Sequence, residues 1–340
     1  MPSSPTSEAK FRAYRVHANA EPRSTKLELL SASDLDPGEL LVRVHFSSVN
    51  YKDAMAARGI GKNVRSDRPC VIGIDLAGIV AHSESPLFKV GDSVIATNYD
   101  LGVDHDGGYA EYARVPAAWA VPLPPHLSLR ESMALGTAGL TAGHAVSRLE
   151  AAGLKPESGD VLVSGASGGV GSLAIDILAR RGYRVVALSR KPDQENYLRR
   201  LGAAEVCSPE VVGSKSFGVP SWAAAIDSVG GTLLAGIMGR LQVNGRIAVC
   251  GMAASAQLET TVFPMILRGV DLLGINVSRA LMSADRLALW GRLATDLKPA
   301  HLERIVTTIG LTELDAAFDR FINSQITGRV VVDLQASEAT

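Results

Sequence analysis

Residues 161–171, VLVSGASGGVG, constrain this chain more than any other stretch. An apolar, β-branched strand runs straight into a glycine-rich turn. A helical run over 169–181 opens on that turn, and a second apolar strand, residues 183–188, follows. Strand, glycine turn, helix and strand make a βαβ unit of the kind that binds dinucleotides. The spacing is Ala166-x-Gly168-x-x-Gly171, so Ala stands in the place of the first glycine. The physics survives that change. Small residues let the backbone approach a pyrophosphate, and the helix N-terminus offers unpaired N–H groups and a positive dipole end. Gly171 lets the helix lie close on the strand.

The end of the second strand selects between dinucleotides. NAD sites place an acidic residue there to accept from the ribose 2′-hydroxyl. Here the place reads Ser189-Arg190-Lys191. Two cations and a hydroxyl suit a 2′-phosphate, which a carboxylate would repel. The expected cofactor is therefore NADPH, although an ordinary solvated turn can carry the same residues.

With 340 residues the chain has room for two domains with full cores. Hydrophobic residues make up 46% and charged residues 20%, a globular composition. A net charge of −1 gives no electrostatic case for nucleic acid or for an anionic membrane. Cys70, Cys207 and Cys250 are far apart, with neither a disulfide framework nor a metal spacing. No apolar run reaches the roughly 18 residues needed to span a bilayer. The start, MPSSPTSEAK, lacks the apolar core of a signal peptide. A cytoplasmic protein is expected.

The first 125 or so residues read as short strands joined by Gly and Pro turns, which predicts a small irregular β-barrel. Residues 40–48 alternate apolar and polar, 70–81 form a strand pair, and 107–115 form another strand. Residues 128–149 have helical spacing. From 161 onward strands and helices alternate, which predicts a doubly wound parallel sheet, an α/β fold. The expected division is 1–128 with 281–340 as one domain and 129–280 as the nucleotide-binding domain.

Those residues bear a family resemblance. NYKDAMA (50–56), GIDLAGIV (73–80), GGYAEYARV (107–115), GTAGLTA (136–142), SGASGGVG and TGRVVV resemble the medium-chain dehydrogenase/reductases. The likeness is to their zinc-free quinone oxidoreductase branch, and within it to the acrylyl-CoA reductase group. It covers residues 11 to 334. It implies a Rossmann sheet domain plus a GroES-like barrel, and a homodimer. Zinc-dependent relatives carry a Cys and a His-Glu pair at positions matching Asn50 and Ile74-Asp75, together with a four-cysteine cluster. Zinc catalysis needs three N or S ligands and an open position, so the resemblance implies a metal-free reductase here.

Without a Lewis acid to hold an alkoxide, reduction of a conjugated C=C bond is a natural alternative. Hydride goes to the β-carbon, enolate charge gathers on the carbonyl oxygen and a proton reaches the α-carbon. Tyr51, with Asn50 beside it, is the first candidate for a polar group facing nicotinamide and substrate; a half-buried Tyr that merely wets its hydroxyl is the alternative. His105 is the second candidate acid, and Asp53 reads as a local structural partner. The resemblance implies that Ser167, Gly168, Gly169 and Val170 meet the pyrophosphate, and that Ser189, Arg190, Lys191 and Arg199 meet the 2′-phosphate. Gly251, Met252, Ile266, Asn276 and Val277 are expected at the nicotinamide end, Thr137 at its carboxamide, and Arg329 at the cofactor phosphates. Arg58, Lys62, Arg65 and Arg68 crowd one loop against a single acid, Asp67. Such a loop could neutralise the phosphates of coenzyme A, or be a solvated face. A short-chain 2-enoyl-CoA, with acrylyl-CoA the leading example, is the expected substrate. A quinone or enone, and a redox-inactive NADPH-binding protein, remain open.

Overall fold

The computed structural model describes residues 9–20, 23–61, 63–213, 217–278, 281 and 283–335. They form two compact units. The first comprises 1–137, 278–294 and 306–340, and the second 138–277 and 295–305.

The second unit is built on a six-stranded parallel sheet. Its strands are β9 (Val161–Val163), β10 (Val185–Leu188), β11 (Ala203–Cys207), β12 (Trp222–Asp227), β13 (Leu241–Val249) and β14 (Asp271–Gly274). Their spatial order, β11-β10-β9-β12-β13-β14, is the doubly wound order, with the switch between β9 and β12. The helices are α3 (Gly169–Arg180), α4 (Glu195–Arg200), α5 (Gly231–Met238), α6 (Phe263–Arg268) and α8 (Leu302–Ile305). β9 and β10 are apolar and wholly buried, as strands covered on both faces must be. Residues 171–178 of α3 are all buried. Leu162, Val186, Ile237 and Ile247 join one core, and each such side chain contributes about 1.5–3 kcal/mol.

The first unit is mostly antiparallel. A seven-stranded sheet runs β15-β16-β3-β5-β6-β8, with β7 also paired to β3. These strands are β3 (Leu40–Val49), β5 (Asp75–Ser83), β6 (Ser93–Thr97), β7 (Tyr112–Val115), β8 (Ala120–Pro122), β15 (Val306–Ile309) and β16 (Arg329–Asp333). A three-stranded sheet, β2-β1-β4, joins β1 (Phe11–His17), β2 (Ser24–Leu30) and β4 (Cys70–Val71). Helices α1 (Tyr51–Arg58), α7 (Ser283–Leu293) and α9 (Leu314–Ile322) complete it. Val42, Val44, Leu76, Tyr109, Phe318 and Val332 share its main core.

Helix α2 (Leu129–Ala151) crosses the division. The expected boundary at 128/129 falls nine residues earlier than the observed one at 137/138, because the first turns of α2 bond to the first unit. Arg329 donates to the Ala134 carbonyl, and Thr137 donates to Asp75. Residues 295–305, expected with the barrel, belong to the second unit. The buried carboxylate of Asp176 on α3 accepts from the Ala300 and His301 amides at 2.9 and 2.8 Å.

Candidate active site

In the second unit the turn after β9 is built from backbone. Gly168 precedes α3 as its N-cap and supplies no side chain, so no side chain caps the first amides of the helix. At Gly171 a Cβ would stand 2.4 Å from the Gly165 carbonyl oxygen, closer than any side chain can come. Ser167 is buried, while Gly169 and Val170 are half-buried. Ser164 Oγ donates to Asp227 Oδ1 at 2.5 Å, and Asp227 Oδ2 accepts from the Gly230 amide at 2.8 Å. These bonds tie the turn after β9 to the turn after β12, the crevice where open α/β sheets bind ligands. Burial raises the Asp227 carboxyl above the ordinary range, against the Ser164 bond.

At the end of β10, Ser189 Oγ accepts from the Lys191 amide at 3.1 Å and Arg190 is exposed. Burial lowers the Lys191 ammonium pKa. Arg199 donates to Glu195 at 2.8 Å one turn away on α4 and to the Ala204 carbonyl at 3.2 Å. Gly251 is half-buried just beyond β13, Met252 is exposed, and past β14 Asn276 is exposed while Val277 is buried. Ile266, 72% exposed, shares the outer face of α6 with Phe263 and Leu267.

The first unit holds a site built from side chains. Asn50 is the N-cap of α1, and its amide N–H donates to Asp53 Oδ2 at 2.8 Å, one half of a capping box. Tyr51 is the first helical residue and is 42% exposed. Asp53 is buried, and its Oδ1 accepts from the Ile74 amide at 3.0 Å. Burial, with the neighbouring Asp75 charge, pushes the Asp53 carboxyl up to about 7. Tyr109 is raised well above the phenol range by burial, then by Asp53, and its hydroxyl donates to the Ser48 carbonyl at 3.2 Å.

Asp75 sits at the centre with no exposed surface. Its Oδ2 accepts from Ser48 Oγ at 2.6 Å, Asn50 Nδ2 at 2.8 Å and the Thr137 amide at 2.9 Å. Its Oδ1 accepts from Thr137 Oγ1 at 2.5 Å, and Thr137 in turn accepts from Asn98 Nδ2 at 2.8 Å. Gly136, at φ +51°, passes so close that a Cβ would stand 2.6 Å from Asp75 Oδ2.

Several expected roles are revised by this geometry. Arg329 is 2% exposed and donates to the Ala134 and Val49 carbonyls, Asn50 Oδ1 and Ser48 Oγ. It lies 3.9 Å from Asp75 and serves this cluster as its cation, not the cofactor phosphates. Asn50 has both ends of its amide engaged, by Asp75 and by Arg329, which leaves it an anchor for the helix start. The Thr137 hydroxyl gives its hydrogen to Asp75. Arg65, whose side chain is 5% exposed, is paired with Asp36 and Asp106 and withheld from a ligand. Arg58 bonds Asp319 at 2.7 Å and Asp315 at 3.0 Å, and those bonds outweigh burial in raising its pKa. Lys62 lies outside the described residues. Both ring nitrogens of His105 face backbone carbonyls, of Asp106 and Pro37, a structural setting. The Asn-x-x-Asp pattern at 50–53 is a helix-start signal that would have found α1. No local signal pairs Arg329 with Ser48, 281 positions away.

Residues 36–125 match the alcohol dehydrogenase GroES-like domain, and residues 169–291 match the zinc-binding dehydrogenase family. The chain is 44% identical to the putative quinone oxidoreductase YhfP of Bacillus subtilis, over 95% of this chain and 99% of the relative. It is 41% identical to the acrylyl-CoA reductase AcuI of Ruegeria pomeroyi, over 96% and 100%. A crystal structure of Escherichia coli YhdH with bound NADPH matches with a TM-score of 0.92 at 39% identity, over 95% and 100% of the two chains. YhfP with NAD bound matches with a TM-score of 0.92 at 44% identity, over 96% and 100%. The residues at the expected zinc position do not fit a metal. Asn50 is held by Asp75 and Arg329, and Ile74 is a hydrocarbon. Among the described residues no three His, Cys, Asp or Glu side chains stand together as ligands. The doubly wound sheet, the barrel-like unit and these matches agree that the chain belongs to the medium-chain dehydrogenase/reductases, a family of oxidoreductases.

Proposed function

We propose that this chain is an NADPH-dependent reductase of a short 2-enoyl-CoA, with acrylyl-CoA reduced to propanoyl-CoA as the leading example. The observation that carries the cofactor choice is the end of β10. Exposed Arg190 and neighbouring Lys191 stand where NAD sites place an acid, and the α3 amides stand uncapped for the pyrophosphate. When bound, NADPH supplies a hydride for the β-carbon. The chain's own part is electrostatic and positional. Tyr51, exposed at the start of α1, presents a hydroxyl that donates to the oxygen on which enolate charge collects. The Asn50–Asp75–Arg329 cluster fills the place of a metal ligand set.

The thioester assignment leans on the likeness to AcuI. The basic loop supports it less than its composition suggested, since Arg58 and Arg65 are engaged with carboxylates. The likeness to YhfP favours a second reading, a quinone as acceptor. Among the described residues no helix is long and apolar enough to cross a membrane, and the cytoplasm is the proposed location. The chain works as a homodimer in this reading. β14 is an edge strand, and Val262, Phe263, Ile266 and Leu267, just before it in the chain, are exposed and apolar.

The test is the loss of reduced-nicotinamide absorbance with acrylyl-CoA, crotonyl-CoA or a small quinone, each with NADPH and with NADH. Turnover of an enoyl-CoA with NADPH alone is the expected result. Turnover of the quinone alone would transfer the assignment to the second reading. Equal use of NADH would overturn the role of Arg190 and Lys191.

A further inference from the structure

Asp75 does more than fill a core. Its two oxygens accept four hydrogen bonds from three stretches of chain: the end of β3, the α1 cap and Thr137 in α2. That is the full acceptor capacity of a carboxylate. The counter-charge, Arg329, donates to the same Ser48 and Asn50. The Asn50 amide is thus held between opposite charges: its nitrogen faces Asp75, its oxygen faces Arg329, and a flip would put both in repulsion. A buried ion pair adds little stability over a well-filled apolar core. Its distinct physical effect is to permit one orientation.

We propose that Asp75 is the positioning residue for Tyr51: by fixing the Asn50 cap and Thr137 together, it sets the direction in which the first turn of α1 presents the tyrosine. This rests on the reading that Tyr51 meets the substrate. The cluster explains the tight passage of Gly136, where any side chain would strike Asp75 Oδ2 and Ser48 Oγ. It also explains why the Thr137 hydroxyl is built into the centre.

The test compares wild type, Thr137→Ser, Thr137→Val and Asp75→Asn, all assayed with crotonyl-CoA and NADPH, with hydrogen exchange followed over residues 48–58. Misplacement of a reacting group lowers turnover, so kcat should fall about tenfold in Thr137→Val and about 100-fold in Asp75→Asn. KM for NADPH should hold within about twofold, because the pyrophosphate turn is untouched. Thr137→Ser keeps the hydroxyl and should restore wild-type kcat. Amides in the first turn of α1 should exchange faster in the valine and asparagine variants. Should Asp75→Asn fail to fold, the threonine pair carries the test. Wild-type kcat and exchange in folded Thr137→Val would overturn the proposal, as would an equal loss in Thr137→Ser. If wild type turns over none of acrylyl-CoA, crotonyl-CoA and a small quinone, the reductase assignment fails and exchange alone decides the positioning.

Discussion

The chain builds two polar sites by opposite means. After β9 the proposed anion cradle is backbone: small residues, a helix start with no side-chain cap, and glycine where nothing larger fits. Beyond β3 the cluster is side chain: Asp75, Arg329, Asn50, Ser48 and Thr137, buried and mutually bonded. A backbone cradle needs only local sequence, so it tolerates Ala166 in place of a glycine. A side-chain cluster needs each partner, because removing one leaves a buried charge without compensation.

The two should therefore break differently. The largest effect is expected at Arg329: Arg329→Leu removes the cation beside Asp75, and urea denaturation should show a loss of about 3–5 kcal/mol. A loss below about 1 kcal/mol would mean the carboxylate finds compensation elsewhere. Gly136→Ala comes next, combining a left-handed backbone with a collision on Asp75. It should cost about 2–3 kcal/mol by the same measurement.

Asp53 gives a pH signature that the backbone cradle lacks. Its folded pKa of about 7 lies above the ordinary carboxyl value of 3.8, so the folded state holds the proton more tightly. Its stabilising contribution is full below the unfolded value and is lost as pH rises through about 7. The slope between should reach about 1.4 kcal/mol per pH unit at most, and Asp53→Asn should remove that slope from the stability profile. The smallest effect on the fold is expected at the surface of the cradle. The double variant R190A/K191A should weaken NADPH about tenfold in a fluorescence titration, leave NADH within about twofold, and blunt the salt dependence. Unfolding midpoints should not move.

Legibility followed the same line. The βαβ unit and the parallel order are local patterns, and the comparisons and the sheet bear out the fold read from them. Helix α1 was not anticipated at 51–58, although its cap pattern is present in the sequence. Counting charges along residues 58–68 suggested a basic surface, but Asp36, Asp106, Asp315 and Asp319 arrive from other elements and engage Arg58 and Arg65. The role of Arg329 was not legible, because no local rule shows which carboxylate it meets.

By itself the sequence determined the secondary-structure alternation and the glycine turn, which depend on residues within about 30 positions of one another, and the family, which is carried by short local motifs spread along the chain. Only the tertiary structure decided the partners of the buried charges. A charge removed from water must be compensated in space, and the fold, not the order of residues, chooses which neighbours are near enough to do it.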